Sequence, residues 1–86
     1  MSDSKISIII PAYNEAKTLG SIVSRILELY PEFEVLVVND GSTDDTGDIA
    51  RDAGAHVYSH PNNIGNGAAI KSGIRHASGD ILVFMD

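Results

Sequence analysis

Four polar clusters, each following an apolar run, carry the side chains of this sequence that are equipped for chemistry. Pro11-Ala12-Tyr13-Asn14-Glu15 joins a chain kink, a flat ring able to stack on a base, and a carboxylate able to accept from ring N–H or ribose hydroxyl groups. Asp40-Gly41-Ser42 sets an acid at the end of a second run, beside a glycine that permits close approach and a hydroxyl near the next helix start. Gly65-Asn66-Gly67-Ala68-Ala69-Ile70-Lys71-Ser72 can present backbone N–H groups at a helix N-terminus, where partial positive charge favours an anion. Lys71 sits one turn further in, within reach of a phosphate or ribose. Asp86 closes the run Ile81-Leu82-Val83-Phe84-Met85, where Mg²⁺ or Mn²⁺ would find an oxygen ligand next to substrate phosphates.

Each cluster also has a bland reading. Asn14, Asp40, Ser42 and the Asp44-Asp45 pair all suit helix caps and turns, Lys71 suits a solvated helix face, and Asp86 suits a strand-end turn. What favours a site is their shared place, because packing does not require special residues after four successive strands. Familiar phosphate loops do not fit: Ile70 stands where both a P-loop and a dinucleotide fingerprint need glycine. A phospho-acceptor receiver domain needs an acidic pair where this chain has Pro11-Ala12-Tyr13. His56, His60 and His76 lack metal-cluster spacing and suggest core, surface or loop roles, and no Ser-His-Asp arrangement is identifiable from sequence.

The elements that must position these residues alternate as strand and helix, the pattern of an α/β fold with a parallel sheet. Ile6-Ser7-Ile8-Ile9-Ile10 predicts a strand that stops at Pro11. Leu19, Ile22, Val23, Ile26, Leu27 and Tyr30 predict an amphipathic helix capped by Asn14 or Thr18 and ended by Pro31. Val35 to Asn39 forms the second strand, and Ile49, Ala50 and Ala53 face inward from a second helix stopped by Gly54. A third strand is expected from about Ala55 to Ser59, then a loop from His60 to Gly65. The last helix should pack Gly67, Ile70, Gly73, Ile74 and Ala77 inward and close at Gly79. Right-handed crossovers would place these strands in one sheet with helices on both faces and any ligand beyond the strands' carboxyl ends.

Composition sets the outer limits. At 86 residues, with 43% hydrophobic and 21% charged residues, the chain suits an ordinary globular domain. A formal charge of −6 argues against a general nucleic-acid binder, so a polyphosphate would need backbone N–H groups, placed cations or a metal. No run approaches the ~20 apolar residues of a membrane span. The polar start has no signal-peptide pattern and there is no cysteine, which makes the cytoplasm the expected location.

At this point the sequence resembles the inverting glycosyltransferase family 2, whose nucleotide-sugar-binding fold is called GT-A. The matching stretches are Ser7 to Glu15, Val37 to Thr46, Asn63 to Ala69 and Gly79 to Asp86, in order and covering nearly the whole chain. The branch it is most similar to holds polyprenyl-phosphate hexosyltransferases, such as dolichyl-phosphate mannose synthase. The resemblance implies a three-layer, Rossmann-like parallel sheet and a nucleotide-sugar donor, UDP- or GDP-hexose. Pro11, Ala12, Tyr13, Glu15 and Asp40 would surround base and ribose, Gly41 and Ser42 would flank them, and Lys71 would lie near ribose or diphosphate. Asp86 matches the first aspartate of the family's Asp-X-Asp motif, which engages donor and divalent metal while an acceptor attacks the anomeric carbon with inversion. The acceptor is not readable; a lipid-linked phosphate is the branch's example.

Residues 1–86 are therefore expected to be the N-terminal nucleotide-sugar-binding part of a GT-A domain, cut after the fourth strand, with no catalytic residue of its own. Weak donor binding without sugar transfer follows, with a cytoplasmic location; members of the branch often carry transmembrane segments after the part seen here, so membrane attachment is not readable. The competing expectation is a non-catalytic module, binding nucleotide or self-associating through an uncovered fourth strand. A nucleotidyltransferase would need a glycine- and basic-rich loop after strand one, which Pro11 to Glu15 is not.

Overall fold

The computed structural model describes residues 4–85. Seven elements alternate along the chain: β1 (Ile6–Ala12), α1 (Ala16–Leu29), β2 (Glu34–Asp40), α2 (Thr46–Asp52), β3 (His56–His60), α3 (Asn66–His76) and β4 (Ile81–Phe84). The four strands form one parallel sheet in the order β3-β2-β1-β4. The chain thus steps outward from β1 to β3, then returns across the sheet to place β4 on the other side of β1. That reversal is where open parallel sheets leave a crevice at their carboxyl ends.

Alternation along β1 and β2 divides the core in two. Ile8, Ile10, Val35 and Val37 meet Leu19, Val23 and Ile26 of α1 and Ala50 of α2 on one face. Ile9, Leu36 and Val38 meet Ala69 of α3 on the other. Covered on both sides, these strands read as unbroken apolar runs, as central parallel strands should. At the amino ends of the strands, Ser7 Oγ donates to Glu34 Oε1 (2.6 Å) and accepts from the Gly79 N–H (2.8 Å). The Ser78 N–H donates to the same Glu34 oxygen at 2.9 Å, so the turn into β4 is fastened to β1 and β2. Burial opposes ionisation of Glu34, but these hydrogen bonds and the charge of Lys5 outweigh it and hold its carboxyl below the ordinary value.

Several boundaries differ from the sequence expectation, each for a physical reason. Pro11 lies inside β1, in register with Val38. Among the described residues the pairing of β4 with β1 runs from Ile6 to Ile9, short of Pro11. The N-cap of α1 is Glu15, which makes no side-chain cap bond; Asn14 and Thr18 do not cap it. β3 runs through His60, and Ala77 rather than Gly79 caps α3. The inner face of α3 is Ala69, Ser72 and Gly73, while Gly67 and Ile74 are exposed. Gly73 passes so close to β1 that an added Cβ would meet Ile9 Cγ2, whereas nothing lies near Gly67. Among the described residues no helix is long and apolar enough to cross a membrane.

This phase of α3 predicts opposite outcomes for two glycines. Gly67→Ala should be neutral or stabilising by up to about 1 kcal/mol through helix propensity. Gly73→Ala should destabilise by about 1–3 kcal/mol because Ile9 must move. Urea unfolding of the two variants checks the pair; equal effects would mean α3 is turned differently.

Candidate functional site

The site begins with the strand ends. In β2, Leu36 and Val38 face α3, so Asp40, two residues on, points to the same side of the sheet. His60 is its register partner on β3 and shares that face. His60 Nδ1 lies 2.7 Å from Asp40 Oδ1, and Nε2 lies 2.7 Å from Ser72 Oγ on α3. All three are buried, with 5%, 7% and 3% of their surface exposed for Asp40, His60 and Ser72. The N–H of Ile64 donates to Asp40 Oδ1 (3.1 Å) and that of Gly65 to Oδ2 (2.9 Å). A carboxylate offers about four acceptor positions, and three are filled here. The fourth, on Oδ2, is left.

Burial alone would raise the Asp40 carboxyl, but the hydrogen bond from His60, those from the Ile64 and Gly65 amides and the attraction of His60 prevail, holding it below its ordinary 3.8. Asp40 is therefore ionised near neutrality, and His60 Nδ1 must be the donor between them. The other ring nitrogen, Nε2, shares its hydrogen bond with the Ser72 hydroxyl, which can donate or accept. A Ser-His-Asp chain thus exists although the sequence reading identified none. Its members lie 20 and 12 residues apart, on three different elements, where no local spacing announces them.

A cleft of about 360 Å³ opens above these residues. Pro11, Ala12, Tyr13 and Glu15 form one wall, Asp40 part of the floor, and Asn63, Gly65, Asn66 and Ala69 the α3 side. Five of the residues singled out from sequence therefore meet in one place. Gly41, Ser42 and Lys71 do not line it. Gly41, at φ +70°, packs against the Asn62–Asn63 backbone so closely that any Cβ would collide. Ser42 Oγ accepts from the Asn14 N–H (2.9 Å), and Asn14 Oδ1 accepts from the Thr43 N–H (2.8 Å), locking the first loop to the second. Asp44 and Thr46 complete that lock: Thr46 Oγ1 accepts from the Glu15 N–H (2.9 Å), and Asp44 Oδ2 from the Ala16 N–H (3.3 Å). Bonds from Thr46, foremost its side chain, together with the Ala16 amide lower the Asp44 carboxyl despite slight desolvation. Lys71 is exposed on α3. Asp86 lies outside the described residues, and among those described no group of three or more His, Cys, Asp or Glu could hold a metal ion. Asn63 and the His60–Ser72 pair were missed as site residues, whereas Gly65 and Asn66 lie in the loop that the sequence marked for an anion.

A parallel sheet with helices on both faces and a cleft at its switch point defines an open, doubly wound α/β protein. Residues 7–86 match Glycosyl transferase family 2, and the chain belongs to that family. It is 34% identical to a dolichyl-phosphate beta-glucosyltransferase of Trichomonas vaginalis, over 94% of this chain and 29% of that protein. An uncharacterized glycosyltransferase of Rickettsia conorii is 37% identical over all of this chain and 15% of its own length. An undecaprenyl-phosphate 4-deoxy-4-formamido-L-arabinose transferase of Enterobacter is 34% identical over 95% of this chain and 28% of its own. Among solved structures, glucosyl-3-phosphoglycerate synthase from Mycobacterium tuberculosis, in complex with Mn²⁺, UDP-glucose and phosphoglyceric acid, superposes with a TM-score of 0.84 at 35% identity. That likeness covers 98% of this chain and 33% of the synthase, a GT-A glycosyltransferase. The chain spans between 15% and 29% of the length of these curated relatives.

Three carboxyls, Glu34, Asp40 and Asp44, are held below their ordinary values in the folded chain. The unfolded chain therefore takes up protons first on acidification. Stability from these groups is complete above the ordinary values of 4.5 and 3.8 and is lost as pH falls below them through the lower values of the folded chain. Denaturant melts between pH 6 and pH 3 should show stability falling with pH, and falling less steeply in Asp40→Asn. An equal slope in that variant would contradict the assignment.

Proposed function

We propose that this chain forms the donor-nucleotide site of a hexosyltransferase that takes a UDP-sugar. The observation that carries the reading is Asp40, an ionised carboxylate at the cleft floor with one acceptor position unfilled, suited to a ring N–H of the base. Tyr13 and Pro11 supply a flat apolar wall beside it, and Glu15 a second acceptor for ribose hydroxyls. Gly65 and Asn66 open α3, whose first N–H groups favour a phosphate, and Lys71 adds a flexible cation one turn further on. Gly41 and Ser42 serve by holding the loops in register rather than by touching the nucleotide. Uracil is favoured over guanine by the UDP and UDP-glucose complexes of the 35–36% identical synthase.

A divalent cation belongs to the same proposal, because the synthase is described with Mn²⁺ and with Mg²⁺. Asp86 is the residue assigned to it, and a bound cation would offset the diphosphate's charge. The described residues do not make up a metal site, and no step is derived through one. Transfer with inversion to an acceptor such as a polyprenyl phosphate, at a membrane, is proposed for the longer protein on the strength of the two lipid-phosphate relatives.

Calorimetric titration of the 86-residue chain with UDP and GDP, each with and without Mn²⁺, tests this reading. Weak UDP binding, strengthened by Mn²⁺ and lost in Asp40→Ala with the fold intact, is expected. Equal binding by that variant would return Asp40 to a purely structural role. Hexose transfer by the chain alone is not expected, and its detection would overturn the assignment of a donor site without catalytic residues.

A second reading, self-association, is favoured by one observation. Among the described residues β4 pairs with β1 alone, and Ile81, Val83 and Phe84 are 44–47% exposed along its four-residue length. An open apolar edge is a template for an identical strand. Sedimentation should show reversible dimers at high concentration, abolished by Val83→Lys; a strictly monomeric profile contradicts it.

A further inference from the structure

We propose that His60 and Ser72 are positioning residues for nucleotide recognition, forming a buried relay that aims the Asp40 carboxylate and leaves its unfilled Oδ2 position toward the cleft. This rests on the reading of the cleft as a nucleotide site. The geometry argues for it in three ways. Asp40 and His60 are register partners, so the sheet itself fixes their approach. Each ring nitrogen of His60 has one partner at 2.7 Å, which prevents the ring from turning. Among the described residues, no buried side-chain nitrogen or oxygen lacks a partner.

A nucleophilic triad is the obvious alternative, and the same geometry removes it. Ser72 is 3% exposed, on the face of α3 turned toward the sheet, and does not line the cleft. A nucleophile must reach its substrate; this hydroxyl reaches only the protein. The relay instead runs inward from the cleft, with Asp40 as the one member that touches it. Around it stand Tyr58, whose ring meets His60 edge-on at 5.7 Å, and His76, stacked on Tyr58 at 3.9 Å. Arg75 Nη2 lies 3.5 Å from Ser72 Oγ and donates to it, giving the hydroxyl a second partner beside His60.

Without the Nδ1 donor, Asp40 Oδ1 would keep a single amide partner in a desolvated place. The carboxylate would then rotate or take a proton, and in either case its free acceptor position would be lost. Simple packing makes a different prediction. Leucine nearly fills the volume of histidine but offers no donor, whereas asparagine leaves space yet carries an N–H on the atom bonded to Cγ, as Nδ1 is in histidine.

The test is nuclear magnetic resonance on the 86-residue chain, reading the Asp40 carboxyl titration, the His60 ring nitrogens and the shifts caused by UDP. In the unmodified protein, His60 Nδ1 should carry a proton shared with Asp40. His60→Leu should weaken UDP about tenfold or more and raise the pH at which Asp40 titrates, while His60→Asn stays within about threefold of the parent. Ser72→Ala, which keeps the histidine and serves should His60→Leu fail to fold, should raise the Asp40 titration and weaken UDP by about threefold.

Parental affinity in His60→Leu, or equal losses in the leucine and asparagine variants, would overturn the relay. So would an Asp40 carboxyl that titrates identically in the parent, His60→Leu and Ser72→Ala, whatever the nucleotide does. Failure of the underlying reading looks different: UDP would cause no shifts in the parent, or Asp40→Ala would bind it as well as the parent does.

Discussion

A single ionised carboxylate, Asp40, gathers its donors from the end of one strand and the start of the next helix, 20 to 25 residues further along the chain. It ends β2, receives His60 from the end of β3, and receives the Ile64 and Gly65 amides from the loop that starts α3. Through His60 it is tied to Ser72, two turns along that helix. The charge is sustained because the hydrogen bonds outweigh desolvation, and the loop is ordered because it supplies those bonds. Remove the charge and two backbone N–H groups lose their partner. The α3 wall of the cleft would then lose its tether to the sheet.

The opposite wall depends on a second lock of the same kind. The segment after β1 turns at Asn14, which adopts a positive φ of 52°, and its amides from Asn14 to Ala16 are taken by Ser42, Thr46 and Asp44. This explains how α1 begins without a side-chain cap of its own: its neighbour loop does the capping. It also explains the density of Ser, Thr and Asp between Asp40 and Thr46, more than one helix start requires. Tyr13 and Glu15 are thereby held over the floor set by Asp40, so the two locks together shape the cleft that a family 2 glycosyltransferase would offer a donor.

Much of the sheet was legible because burial on both faces leaves a plain trace: Ile8 to Ile10 and Val35 to Val38 are apolar without interruption. The cluster Pro11, Ala12, Tyr13, Glu15 and Asp40 was legible for a topological reason, since residues just past parallel strands must share one rim. Legibility failed where one polar contact replaced an apolar one. Ser72 is buried because His60 needs a partner, and an apolar reading of α3 therefore turned the helix toward Gly67 and Ile74. Pro11 was misread as a strand end because its place in β1 comes from pairing with Val38 of β2, which no local pattern shows. His60 looked like a loop residue because its importance comes from a neighbour 20 positions away. Lys71 shows the same limit: its exposed place on α3, outside the cleft lining, follows from the helix phase, which no local pattern reveals.

The central claim is that the Asp40 charge holds the loop between β3 and α3 in place. Amide hydrogen exchange at Ile64 and Gly65, measured in the parent and in Asp40→Asn, tests it most directly. Both amides should be protected in the parent and exchange markedly faster in the variant, while core amides such as that of Val37 are slowed equally in both. Rapid exchange of Ile64 and Gly65 in the parent, or unchanged protection in Asp40→Asn, would contradict the account.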